Sequence, residues 1–542
     1  MTSPSADGQI PEGAAAPHTE AVFTEKGRDL SERGHQSRRG PAVEQGEALA
    51  NTLKPRHLSM IALGGVIGAG LLVASSTAIL AAGPAVILAY ALAGVVVVLV
   101  MRMLGEMASI SPETGSFSAY ATRFIGPWAG LSIGWLYWWF WVVVVGIEAT
   151  AAAVIISGWL PEVPQWIPAL IITLVFLIAN LISVKSFGEF EFWFASIKIV
   201  SIIIFIIVGA LLIAHVIPNN TATFGNLAPA DGGFAPFGVA GILAALLPVI
   251  FSMFGAEVAT IAAGESEQPA QAVRKAVNSV VWRILLFYIG SILVVLIVLP
   301  WDQITAGVSP FVTMLNAAGI GWAALAMDII VLSALLSTLN ASLYTASRMA
   351  FSLSRRGEAP KAFRKVSKRG TPYVAILASA VVGLLSVVLN YTTPEYVFSF
   401  LVNSTGAVAI FVWIVIAVSQ LRSRRILAED AVAAGEDPNA TTKGAIRMWG
   451  FPWLTWVVIV ALSALLIYMF FAGETRLIEV TTSFIIAGIS IVAGVVVQRK
   501  QKRERAAAAV APASGTGTGT GTGTVSTAPA PGSDPTSTPS TK

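Results

Sequence analysis

The chain has 542 residues, 55% of them hydrophobic and 12% charged, with a mean hydropathy of +0.75. Ordinary soluble proteins carry roughly 25% charged residues, so a soluble globular chain is excluded and a polytopic membrane protein is implied. The net charge of +4 is small and cysteine is absent, which excludes a disulfide scaffold, a thiolate metal centre and a cysteine nucleophile.

Residues 1–56 are polar, lack the apolar core of a cleavable signal, and read as a disordered cytoplasmic tail. Twelve apolar segments follow, at 57–82, 84–104, 127–158, 166–184, 195–216, 238–262, 280–300, 318–345, 372–390, 396–419, 450–471 and 478–498. Most reach the roughly 17–25 residues that a bilayer crossing needs. The first ten make a core over 57–419, followed by a cytoplasmic linker at 420–449 and two further spans within 450–498. Residues 499–542 read as a basic and then low-complexity cytoplasmic tail, of which the Gly/Thr/Pro/Ser end from Ala513 should not pack. With both ends cytoplasmic, the inner connections collect Arg102, Arg123, Lys185, Arg274, Lys275 and the cluster from Arg355 to Arg369. The outer connections hold Arg476 as their only basic residue, so one topology satisfies the positive-inside rule. Basic clusters this close to membrane spans point to lipid headgroups and not to nucleic acid.

The first span carries "ALGGVIGAG", Ala62 to Gly70, with Gly64, Gly65, Gly68 and Gly70 in seven positions. Close helix packing, Gly64 with Gly68, is one use of such residues. The density favours a break in the helix, tolerated where the freed backbone lines a cavity. A break would aim the amides of Val66, Ile67, Gly68, Ala69 and Gly70 at an anion, as helix N-termini do for carboxylates. In the third span, Glu148 within "VVGIEATAAA" is either a proton carrier or a neutral structural hydrogen-bonding group. The nearby aromatic run from Trp135 to Val145 is expected to pack against lipid or a neighbouring helix. Glu106 follows Arg102 by four residues and reads as its surface partner. In the fifth span, Lys198 either snorkels to the interface or serves the site. The sixth span, "VIFSMFGAEVATIAAGE", is interrupted by Gly255 and Glu257, and a second broken span in the matching half is the sequence pointer to a transporter site between inverted repeats. Those repeats fall at about 57–216 and 238–419. Ser337, Thr338, Asn340 and Ser342 make one half of the eighth span polar, for an exit path or for interhelical contacts.

The blocks "RHLSMIALGGVIGAGLLVASS", "GSFSAYATRFIGPWAG", "SVKSFGEFEFWFASIKIV", "MFGAEVATIAAGESEQPAQAVRKAVNSVVWRI" and "LNASLYTASRMAFSLSRRGEAP" resemble the bacterial amino acid transporter family of the amino acid-polyamine-organocation superfamily. The resemblance runs from about Leu53 to Lys500 and is nearest to the gamma-aminobutyrate permeases. It implies an all-α fold of twelve transmembrane helices, a leucine-transporter-type five-plus-five inverted repeat plus two peripheral helices. It implies that Val66 to Gly70 bind the substrate carboxylate, and that the second unwound segment, Ser252, Met253, Phe254, Gly255 and Ala256, binds the ammonium with Phe254 as an aromatic cap. It further implies that Lys198 stands where sodium-coupled relatives hold an ion, and that Glu257 lies close to the site.

The expectation is a proton-driven importer of a small zwitterionic amino acid, gamma-aminobutyrate foremost, in the cytoplasmic membrane. Its partners are the substrate, protons and membrane lipids, with no cofactor, no metal and no enzyme chemistry. A permease for proline, phenylalanine, lysine or alanine, glycine and D-serine, or an exchanger of the same fold, stays open at this point, as does the oligomeric state.

Overall fold

A computed structural model describes residues 67–111, 116–182, 187–217, 221–230, 232–257, 269–367, 369–435, 437 and 446–510. Val66, the predicted tail at 1–56 and the low-complexity end therefore lie outside the described residues. The fold is all-α, with no strand among the described residues.

In chain order the helices are α1 (Ala69–Leu72), α2 (Ala74–Ala82), α3 (Val86–Ile110), α4 (Ser116–Phe124), α5 (Pro127–Trp159), α6 (Trp166–Ile182), α7 (Phe187–Ile213) and α8 (Gly238–Met253). They continue as α9 (Pro269–Arg283), α10 (Ser291–Val298), α11 (Pro310–Ala317), α12 (Gly321–Arg355), α13 (Tyr373–Thr392), α14 (Pro394–Ala433), α15 (Trp453–Met469) and α16 (Glu474–Val510). A π-helical stretch, Ile284–Gly290, joins α9 to α10. Proline in the first turn starts α5, α11 and α14, where the missing N–H would have had no helical partner. Gly83, at φ +61°, turns the chain between α2 and α3.

Among the described residues, eight helical stretches are long and apolar enough to cross a membrane, and three shorter apolar helices, α6, α8 and α15, lie between them in the chain. The chain is thus a multi-pass membrane protein. Several boundaries differ from the sequence reading. The fifth span begins at Phe187 instead of 195, which brings Glu191 into helix α7. The tenth runs on to Ala433, so the first part of the expected linker is helical, and the last helix reaches Val510. Both extensions are rich in helix-forming Ala, Glu and Arg, whose propensity carries a helix beyond its apolar stretch.

Helix α5 is the central post, packed by α12, α13, α14 and α16. Helix α8 packs against α2, α3 and α14 on the other side of the site. Glycines let neighbouring helices approach closely, as Gly146 of α5 does against Ser386, Gly383 of α13 against Val145 and Gly406 of α14 against Leu247.

Candidate functional site

The chain meets the site as non-helical Ile67 and Gly68, winds the single turn of α1, and breaks again at Val73 (φ −130°, ψ −49°) before α2. A Cβ on Gly68 would sit 2.6 Å from Glu148 Oε1 and 2.7 Å from Thr338 Oγ1, so only glycine leaves room for both side chains. A Cβ on Gly70 would sit 2.6 Å from Ser252 Cα, which lets the first interrupted segment touch the second directly.

Helix α8 contains Pro248, which lacks an N–H and weakens the helix ahead of its end. It stops at Met253, where Phe254 becomes extended (φ −67°, ψ 145°) and Gly255 takes φ +104°, a left-handed conformation that favours glycine. Helical geometry resumes at Ala256 and Glu257. Each break bares backbone groups that hydrocarbon cannot satisfy, and side chains satisfy several of them. Gly255 N–H donates to both carboxylate oxygens of Glu257, at 3.1 and 3.0 Å. The Ser252 carbonyl accepts from the Tyr288 hydroxyl at 2.8 Å.

At the first break the acceptor is Glu148. Its carboxylate is 1% exposed and takes the Ala69 N–H at 3.0 and 3.1 Å. An internal carboxylate therefore occupies the helix N-terminus that the sequence assigns to cargo. Thr338 Oγ1 accepts from Lys198 Nζ at 3.2 Å and shares its own proton between the Ala334 carbonyl, at 3.0 Å, and the Ile67 carbonyl, at 3.3 Å. Lys198 is 1% exposed, so its head is buried against α12 and does not snorkel. Glu191, two turns earlier on α7, is equally buried and accepts from Ser337 Oγ at 2.8 Å.

These groups surround a void of about 20 Å3 lined by Gly68, Gly70, Glu148, Ser252, Phe254, Thr338, Phe140, Trp141, Val144 and Phe251. A water needs roughly 10–15 Å3 by this measure, so a cavity of this size has room for one or two waters. Phe254 lies against Phe140, with ring centroids 4.1 Å apart, and stacks near Trp413 at 6.0 Å. Of the predicted residues, Gly68, Gly70, Glu148, Ser252 and Phe254 form the wall. Ile67, Ala69, Met253, Gly255, Ala256 and Glu257 lie along the two breaks, and Lys198 sits behind Thr338.

Sequence reasoning placed the aromatic run of the third span against lipid or a neighbouring helix. Trp138 does bond a neighbouring helix, donating to Ser379 Oγ at 3.0 Å, but Phe140, Trp141 and Val144 face the cavity. A lipid-facing and a site-facing aromatic look alike in sequence, and only the packing of α5 at the centre separates them. Glu106 also departs from expectation. It is 2% exposed and accepts from Arg424 Nε at 2.6 Å, Gln420 Nε2 at 2.8 Å and the Met448 N–H at 3.0 Å. Arg102 instead donates to the Arg447 carbonyl at 2.8 Å.

The amino acid permease family profile matches residues 57–509. A gamma-aminobutyric acid permease of Bacillus subtilis is 47% identical over 454 residues, covering 84% of this chain and 94% of that protein. One from Escherichia coli is 46% identical, covering 82% and 94%. The aromatic amino acid transport protein AroP of Corynebacterium glutamicum is 42% identical, covering 80% and 92%. Among solved structures, a manganese transporter of Eremococcus coleocola superposes with a TM-score of 0.52 at 14% identity, covering 85% of this chain and all of that one. That likeness speaks for the fold alone.

Proposed function

The chain belongs to the amino acid permease family, a family of secondary transporters and not of enzymes, and from that premise we propose that it imports gamma-aminobutyrate by proton symport across the cytoplasmic membrane. The two relatives that carry that substrate in their names, at 47% and 46% identity, favour it over the aromatic cargo of the relative at 42%. The twelve-helix, five-plus-five inverted repeat with both termini cytoplasmic belongs to the same proposal.

One observation carries the mechanism: two interrupted helices touch at Gly70 beside one small cavity lined by Glu148 and Ser252, with the Ala69 amide held by Glu148 on one side and the Ser252 carbonyl on the other. A half-helix N-terminus suits a carboxylate and a half-helix C-terminus suits an ammonium, so the pair suits a zwitterion. Phe140, Trp141, Phe251 and Phe254 crowd the remaining space, which fits a short aliphatic body better than a second ring.

Cargo enters only as Glu148 gives up Ala69, because two carboxylates compete for one N–H. A proton on Glu148 discharges it and weakens its hold on the amide, since charge-assisted bonds are roughly twice as strong as neutral ones. Proton and cargo are thereby bound together. Lys198, through Thr338, holds the Ile67 carbonyl side of the same break, and Glu257 steadies the other. Alternating access then moves these helices around the loaded cavity.

The test is reconstitution in proteoliposomes with an imposed pH gradient, measuring labelled gamma-aminobutyrate against proline, phenylalanine, lysine, alanine and beta-alanine. The expected outcome is accumulation that collapses with the gradient and is competed best by unlabelled gamma-aminobutyrate. Uptake that ignores the gradient and requires internal amino acid would identify an exchanger instead.

A further inference from the structure

Glu191 is a buried acid that this mechanism leaves unused and, unlike Glu106 and Glu479, it accepts from no arginine among the described residues. It is the fifth residue of α7 and is 1% exposed. Its Oε2 accepts from Ser337, while its Oε1 has no hydrogen-bond partner among the described residues. Buried carboxylate oxygens are almost always paired, and an ionisable group at membrane depth marks function by default.

Its neighbour supplies the reason. Lys198 follows by seven residues, two turns that return to the same helix face with a rise of about 10 Å. Helical side chains lean toward the N-terminus of their helix, so the lysine stem runs back toward Glu191. Consecutive residues of α12, Ser337 and Thr338, hold the two heads, and the two charges interact. Glu148 is the further charge that acts on Lys198. The other elements against α7 bring little: α10 has no ionisable side chain, and Ile284–Gly290 has only Tyr288. On α12 the nearest charges, Asp328 and Arg348, lie nine and eleven residues from Ser337. Glu191 thus stands between the Lys198 ammonium and the N-terminal end of α7, the end that the distribution of basic residues puts on the cytoplasmic side.

We propose that Glu191 is the inner proton acceptor of the transport cycle, passing the coupling proton from Lys198 to cytoplasmic water. Lys198 Nζ and Glu191 make no ion pair in this state, so the transfer takes place when the flexible lysine side chain moves back along α7: one of its N–H bonds breaks and an O–H bond forms on the unpartnered Glu191 Oε1. Both groups are then neutral; the acid loses its proton to cytoplasmic water, and Lys198 recovers one from protonated Glu148, so that one proton crosses per cycle. Neutral Lys198 holds Thr338 less firmly, and so loosens the tie to the Ile67 carbonyl after cargo has been released. The inference rests on the proton-coupled reading above.

Glu191→Gln keeps the shape and an acceptor for Ser337 but has no site for the proton. In proteoliposomes, gradient-driven accumulation of labelled gamma-aminobutyrate should fall on the order of a hundredfold, the low end of what a positioned proton-transfer group contributes. Counterflow exchange, which moves no net proton, should stay near wild type. Glu191→Asp, which keeps the acid, should recover accumulation. Unchanged accumulation in Glu191→Gln would overturn the proposal, and so would equal loss of accumulation and counterflow in both variants, which marks a structural counter-charge. A wild-type protein that accumulates nothing under the gradient would remove the transport reading first and this inference with it.

Discussion

As Gly70 is hemmed in by the Ser252 backbone, Gly68 is hemmed in by two side chains. Because a Cβ there would lie 2.6 Å from Glu148 and 2.7 Å from Thr338, Gly68→Ala must push both away from the break. Overpacking of this kind costs about 1–3 kcal/mol. The variant should insert in the membrane, unfold at a lower temperature in detergent, and lose most uptake. At Glu148 the expectation concerns proton dependence. Apparent affinity for cargo should rise as the outside becomes more acidic in the wild-type protein, and Glu148→Gln should flatten that dependence; an unaltered profile would detach the carboxylate from coupling. These residues were legible because a carboxylate, a lysine or a run of glycines in an apolar segment has few ordinary uses. Phe140, Trp141 and Phe251 were not, because aromatics serve lipid contact and helix packing equally well, and Thr338 stood out only as one of several hydroxyls in a polar half-span. Glu191 was hidden for another reason: its helix starts eight residues before the apolar stretch that betrays it.

The two interrupted helices and the π-helical stretch Ile284–Gly290 form one working unit. A π turn shifts the faces of a helix, and here it brings Tyr288 to the Ser252 carbonyl. Tyr288→Phe removes that hydroxyl and leaves a buried carbonyl short of a donor, a loss of about 1 kcal/mol in the empty protein. If the cargo ammonium takes the same carbonyl, added gamma-aminobutyrate should raise the melting temperature of Tyr288→Phe more than that of the wild type. Equal shifts would place the ammonium elsewhere. Sequence periodicity and hydropathy found most of these elements but neither the π turn nor the helical continuation of α14 and α16, since a local change of winding and a polar extension leave no apolar signature.

At the scale of the whole molecule, a buried polar cluster outside the cavity wall ties helices together. Glu106 of α3 gathers Gln420 and Arg424 of α14 together with the Met448 N–H from the segment leading to α15. Thr455 of α15 completes it by donating to Gln420 at 3.0 Å. Glu106→Ala strips the acceptor from this cluster. Removing one partner of a buried pair costs about 3 kcal/mol at the low end, appropriate here because Arg424 keeps 33% of its side chain in solvent. A lower melting temperature with unchanged substrate preference is the expected result in detergent-solubilised protein.

The contact of Gly70 with Ser252 restricts how such a molecule can breathe. Two rods whose main chains already abut have no slack to slide past one another, so they must swing as a joined pair. Enlargement of the chamber then has to come from the opposite wall, where α5 and α12 contribute side chains that can change rotamer without disturbing any backbone. Ligands that wedge among Phe140, Trp141 and Thr338 would jam that wall and arrest the cycle without ever resembling the cargo.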